Sequence, residues 1–149
     1  MRRVEAMIRV IQRTKPYRSA LGIVLTYFAA NGSIERTARI EGKAFEGVSS
    51  HEAALCGVLM VFAHVTNDRP LTIKVGHKTA DSQLHNLADI KDRNWRGPGG
   101  TVSKHVDLLR QIFGEKEARL NVEFVSPRQR KNGPYVEAFS IASTVIDAP

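Results

Sequence analysis

"SSHEAALCGVLMVFAHVTNDRPLTIKV", residues 49–75, decides how the chain folds. Ser49 and Glu52 stand in the S-x-x-E relation of a capping box, and Leu55, Leu59 and Phe62 then recur on one helical face, so the segment opens as a helix. Pro70 closes a turn and "LTIKV" follows as a short strand. A strand reached through a helical crossover rejoins its sheet in parallel, so this one lies parallel to a strand already laid down.

Working upstream, "MIRVIQ" (7–12) alternates apolar with polar residues and "SALGIVLTYFAA" (19–30) is a longer apolar strand. "NGS" (31–33) signals a hairpin before "IERTARIEG" (34–42) alternates again, giving three antiparallel strands. Downstream, a second helix is expected at about 81–94, ended by "RGPGG". Thr101 can cap a third, in which Val102, Val106, Leu109 and Phe113 share a face. "LNVEFV" (120–125) is a fifth strand, "SPRQRKNGP" (126–134) a basic loop, and "YVEAFSIASTVI" (135–146) a last helix entered through Pro134. The order is βββ-α-β-α-α-β-α: an α/β fold with a five-stranded mixed sheet, three antiparallel strands followed by parallel ones, flanked by helices. No repeat or low-complexity segment interrupts it, and 149 residues at 42% hydrophobic content suit a single domain spanning 1–149.

The lone cysteine, Cys56, has no partner for an internal disulfide and reads as a small buried hydrophobe, which suits a reducing, cytoplasmic setting. The apolar run "ALCGVLMVFAHV" is too short for a membrane span, so no membrane partner is expected. Lys and Arg outnumber Asp and Glu by 22 to 15, a net charge of +7, and residues 1–18 carry six basic side chains against Glu5 alone. Such a balance points toward polyanions. That arginine-rich start alternates as a strand does and lacks the serines of a targeting peptide.

Over roughly residues 6–145 this order resembles the ribonuclease H family, and three phrases agree with it. "SSHEAAL" looks like the family's helix opening with its catalytic glutamate. "TVSKHVDLLRQI" is similar to the segment written V-K-N-x-D-L-W, and "VEFVSPRQRKNGPYVEAFSIAS" to the final strand, loop and helix. The resemblance implies two-metal hydrolysis of the RNA strand of an RNA–DNA hybrid, with four carboxylates holding two Mg²⁺ or Mn²⁺ ions. Hard, mutually repelling cations need that many acids.

This chain departs from that set. The first strand has no aspartate, since none precedes Asp68; the family position falls on Arg9 or Arg13 according to register. Glu52 matches the second position, and is equally readable as the partner of Ser49 in the capping box. The third position falls on Gly76, unless the insertion "GHKTA" delivers Asp81, which otherwise reads as an N-cap. Glu137 meets the fourth position with one gap, Val136 without it, and Glu137 is equally a first-turn helix charge. The small residues Ser140, Ala142 and Ser143 suggest that the last helix packs closely, and the family's loop histidine is replaced by Pro127 or Arg128. His51, His77 and Cys56 match no zinc spacing.

The expectation is therefore a catalytically degenerate ribonuclease H-like protein that needs no metal or cofactor and binds nucleic acid through a basic face. The candidate contacts are Arg9, Arg13, Lys15 and Arg18 around the first strand, Lys78 past strand four, and Arg96 and Lys104 around the "RGPGG" loop. Arg128, Arg130 and Lys131 belong to the last loop, and Trp95 stands as a stacking residue that could equally be packed inside. One alternative is an active Mg²⁺- or Mn²⁺-dependent nuclease using Glu52, Asp81 and Glu137, with Glu52 and Glu137 the metal candidates. Another is a protein-interaction module of a polymerase or nucleoprotein assembly, docking through a sheet edge or the "FGEKEAR" region.

Overall fold

Alternation in the first three segments builds an antiparallel meander: β1 (Val4–Thr14), β2 (Tyr17–Phe28) and β3 (Ile34–Glu46). The computed structural model describes residues 2–15, 17–66, 68–97, 100–119, 121–129 and 131–147, with the side chain of Glu41 outside that set. Asn31 shapes the hairpin between β2 and β3 by accepting from both the backbone N–H and the hydroxyl of Ser33, with Gly32 at φ +89°. After helix α1 (Ser50–His64), β4 (Leu71–Gly76) lies parallel to β1, Val4 opposite Leu71 and Arg9 opposite Gly76. A short β5 (Val122–Phe124) lies parallel to β4, so the sheet order is β3-β2-β1-β4-β5.

The period of two divides each central strand between two cores. Val4, Ala6 and Ile8 of β1 meet Leu21, Ile23 and Leu25 of β2 beneath the buried face of α1, formed by Ala54, Leu55, Val58 and Phe62. On the opposite face Met7 and Val24 pack against Ala138 of the last helix, α5 (Pro134–Ile146). Close packing of α5 was expected from its small residues, and the sheet contributes as much. A Cβ at Gly22 would lie 2.1 Å from the Ala138 carbonyl, and one at Gly42 2.8 Å from the Ile141 side chain. Within the helix Ala138 and Ala142 are buried, whereas Ser140 is exposed.

The connecting helices depart from the sequence expectation. In place of one helix at 81–94 there are two, α2 (Lys78–His85) and α3 (Leu87–Asp92), broken at Asn86, whose side chain donates back to the Ser82 carbonyl. Asp81 is not the cap of α2. His77, in extended backbone, takes that place, its Nδ1 accepting from the Ala80 N–H at 3.2 Å. Thr101 caps nothing, because the next helix, α4 (Val106–Ala118), begins only after His105 at φ +60°. Val102 is instead exposed and bridges Arg96. Cys56 is only half-buried; burial, then the Glu52 charge, push its thiol up, away from the reactive thiolate. Among the described residues no helix is long and apolar enough to cross a membrane.

Candidate nucleic-acid interface

Parallel pairing of β1 with β4 brings Arg9 and Gly76 side by side, which settles the register: Arg9, not Arg13, neighbours the tip of β4. The Arg9 side chain lies across the glycine, so a Cβ at 76 would stand 2.8 Å from Arg9 Cδ and 3.3 Å from the Ile8 carbonyl. From there the guanidinium reaches α5. Its Nη1 donates to the Tyr135 carbonyl at 3.0 Å, and its carbon sits 3.7 Å from the centre of the Tyr135 ring and 4.9 Å from that of Phe139. A half-buried cation therefore occupies the junction of the two parallel strands with the last helix.

The three candidate carboxylates each have a separate partner. The Glu52 backbone N–H donates to the Ser49 hydroxyl oxygen, as a capping box requires, but its carboxylate turns to His105 Nδ1, 3.5 Å away. Asp81 accepts from the Ser126 hydroxyl at 2.6 Å through one oxygen and faces His85 Nε2 at 3.3 Å through the other, tying α2 to the loop after β5. Glu137 pairs with Arg39 of β3. Among the described residues no three His, Cys, Asp or Glu side chains are grouped so as to hold a metal ion.

Beside Glu52 lies a cluster that sequence reading left unassembled. His51 stacks on His77, with ring centres 5.6 Å apart, and meets His105 edge-on at 4.7 Å. His51 Nε2 is 2.6 Å from Gln83 Oε1. Because His77 Nδ1 accepts the Ala80 N–H, its neutral ring carries the proton on Nε2 and donates to the Ser50 hydroxyl at 3.1 Å. Burial first, and then the neighbouring His51, pull the pKa of His77 below the ordinary histidine value. The same two causes lower that of His105, opposed by Glu52 and assisted by Lys104. Residues 51, 77 and 105 are too far apart in sequence for spacing to have joined them.

The basic candidates divide between the two sides of the sheet. Arg128 lines a cleft of about 720 Å³ on the α5 side, where Lys74, Glu5, Met7 and Tyr135 also lie; Lys131 is exposed in the same loop, and Arg130 lies outside the described residues. On the other side Arg96 and Lys104 share a groove of about 550 Å³ with Arg93, which sequence reading had passed over. Arg96 is partly committed, donating to the Gly100 carbonyl at 2.8 Å. Arg13 pairs with Asp147 at 3.4 Å and Arg18 with Glu46 at 3.5 Å, while Lys15 and Lys78 are exposed. Trp95 sits edge-on to Phe113 at 5.9 Å with Arg110 over its ring, so its indole is engaged from within. The aromatic rings beside a candidate cation are instead Tyr135 and Phe139; an i, i+4 aromatic pair on a basic protein's last helix is the signal that could have found them.

No protein-family model matches the sequence, and a search of curated proteins finds no match. Solved structures do match. The chain is similar to the solution structure of the PFV RNase H domain, with a TM-score of 0.74 at 10% identity, covering 98% of this chain and 93% of that one. It is similar to LC9-RNase H1, a type 1 RNase H with the type 2 active-site motif, with a TM-score of 0.73 at 14% identity over 95% of this chain and 70% of that one. A foamy viral protease-reverse transcriptase in complex with RNA/DNA hybrid matches 95% of this chain with a TM-score of 0.69 at 13% identity, and the chain spans 20% of that protein. Element order, parallel register and these likenesses agree: the chain has the ribonuclease H-like fold.

Proposed function

We propose that this protein binds nucleic acid, an RNA–DNA hybrid or another duplex, through cationic side chains and without a pair of catalytic metal ions. The observation that carries the reading is Arg9 lying across Gly76. The resemblance calls for two acids at these adjacent positions, and here they hold a guanidinium and no side chain. Two divalent cations would meet a fixed positive charge at their centre, a repulsion that Glu52, Asp81 and Glu137 are poorly placed to offset, because each is held by a partner elsewhere. The donor set therefore does not fit the paired ions. A guanidinium does fit phosphate, whose oxygens it can take in pairs. The net charge of +7 and the exposed cations of the two grooves supply the sequence-independent attraction such a binder needs. That a relative of the same fold is described in complex with RNA/DNA hybrid supports the choice of ligand class.

The test is a labelled RNA–DNA hybrid titrated with protein in Mn²⁺ or EDTA at two salt concentrations. Binding that weakens steeply with salt, ignores chelation and leaves the hybrid intact is the expected result. Cleavage that stops on chelation would instead support the nuclease built on Glu52, Asp81 and Glu137, and absence of both binding and cleavage would point to a protein partner.

A further inference from the structure

Phe139 is 42% exposed on α5 and Val136, three residues before it, 41%. Tyr135 and Phe139, one turn apart, flank the Arg9 guanidinium along the edge of the helix. Inward-facing residues of the same helix, Ala138 and Ala142, are fully buried, so the apolar seal of α5 on the sheet rests on them and the exposed ring adds only its contact with Arg9. An exposed ring beside a cation matches a nucleotide in both halves, with the free face of the ring for a base and the guanidinium for its phosphate. Trp95, the stacking residue of the candidate set, is less exposed than Phe139 and is packed edge-on against Phe113.

We infer that Tyr135, Phe139 and Arg9 form a stacking platform for an unpaired nucleobase, so that the preferred ligand is a duplex carrying a single-stranded extension rather than a blunt one. This rests on the nucleic-acid reading above and adds the form of the strand that reading leaves open. Bases inside a duplex present only their edges, so away from its ends a helix-borne ring stacks only on a base that has left the stack.

The experiment compares a blunt RNA–DNA hybrid with the same hybrid bearing a short single-stranded extension that contains 2-aminopurine. Fluorescence anisotropy gives affinity, and 2-aminopurine quenching reports stacking. The extension is expected to tighten binding by about fivefold to a hundredfold, as one stacked base does. F139A should remove that gain and the quenching, so that the two hybrids bind alike, and F139W should restore both. Equal affinity for the two hybrids, or an equal loss on both in F139A, would overturn the platform while leaving the nucleic-acid reading intact. No binding to either would overturn that reading itself. Sedimentation of the ligand-free protein closes the remaining route: self-association abolished by F139A would assign the exposed ring to a second copy of the chain and sink the proposal.

Discussion

Alanine at position 76 would put a methyl group 2.8 Å from Arg9 Cδ, inside any real contact distance, while the Ile8 carbonyl at 3.3 Å limits escape on the other side. Overpacking of that kind costs about 1–3 kcal/mol. Gly76→Ala is therefore expected to destabilise the protein by that amount in urea denaturation, and Arg9→Ala should relieve most of the loss when the two are combined. Additive effects in that double-mutant cycle would show that the side chain does not lie where described. Sequence reading found both residues as separate departures from a resembling pattern. Their coupling was hidden because it depends on parallel register, which no local spacing encodes. The fates of Glu52, Asp81 and Glu137 were hidden for a related reason: their partners His105, Ser126 and Arg39 lie 53, 45 and 98 residues away.

Among the elements, those with a strong period were legible and those fixed by a single polar group were not. Alternation placed β1 to β3, and helical spacing with Pro70 placed α1 and β4. The start of α2 escaped because an imidazole acceptor, rather than Asp81, satisfies its first turn. That cap works only while His77 is neutral, since a protonated ring presents N–H to N–H. His77 and His105 both have pKa values lowered in the fold, so below about pH 6.5 the unfolded chain takes up more protons than the folded one. Stability should thus be full above that pH, fall as the solution is acidified, and level off once the folded-state values are passed. The groups acting on these rings are His51, Glu52 and Lys104, of which only Glu52 favours protonation. Thermal melts from about pH 7.5 to about pH 5 should show the decline, and His77→Asn, which keeps an N-cap acceptor without the titration, should make it shallower and leave the share of His105. A slope unchanged by His77→Asn would remove His77 from the explanation. At the other face, Gly22→Ala drives a methyl group to 2.1 Å from the Ala138 carbonyl and 2.9 Å from the Ala142 nitrogen, both in the backbone of α5. It should cost about 3 kcal/mol or more, a loss read from the urea midpoint.

For the molecule as a whole, two grooves on opposite sides of the sheet carry cations, Lys74 and Arg128 in one and Arg93, Arg96 and Lys104 in the other, and nucleic acid gripped by the two or three of one groove should lose about tenfold to fortyfold in affinity between about 50 and 200 mM salt. Reversing the charge of Arg128 and of Lys104 separately, and measuring the salt slope of each variant, will show which groove faces the phosphates. The variant in the engaged groove should lose about one contact from the slope, and the other should not change it. Opposed faces explain why charge counting identified a basic protein without locating its surface.

The overlap of Arg9 with residue 76 also bears on how such a protein can change over time. An acid arriving at 76 alone would collide with the arginine stem, and one arriving at 9 alone would have only a glycine for its neighbour and would give up the bond to the Tyr135 carbonyl. Each single step loses something before the pair gains anything, so the strand junction acts as a ratchet, and descendants of this chain would reach an acidic junction only by crossing a valley in fitness.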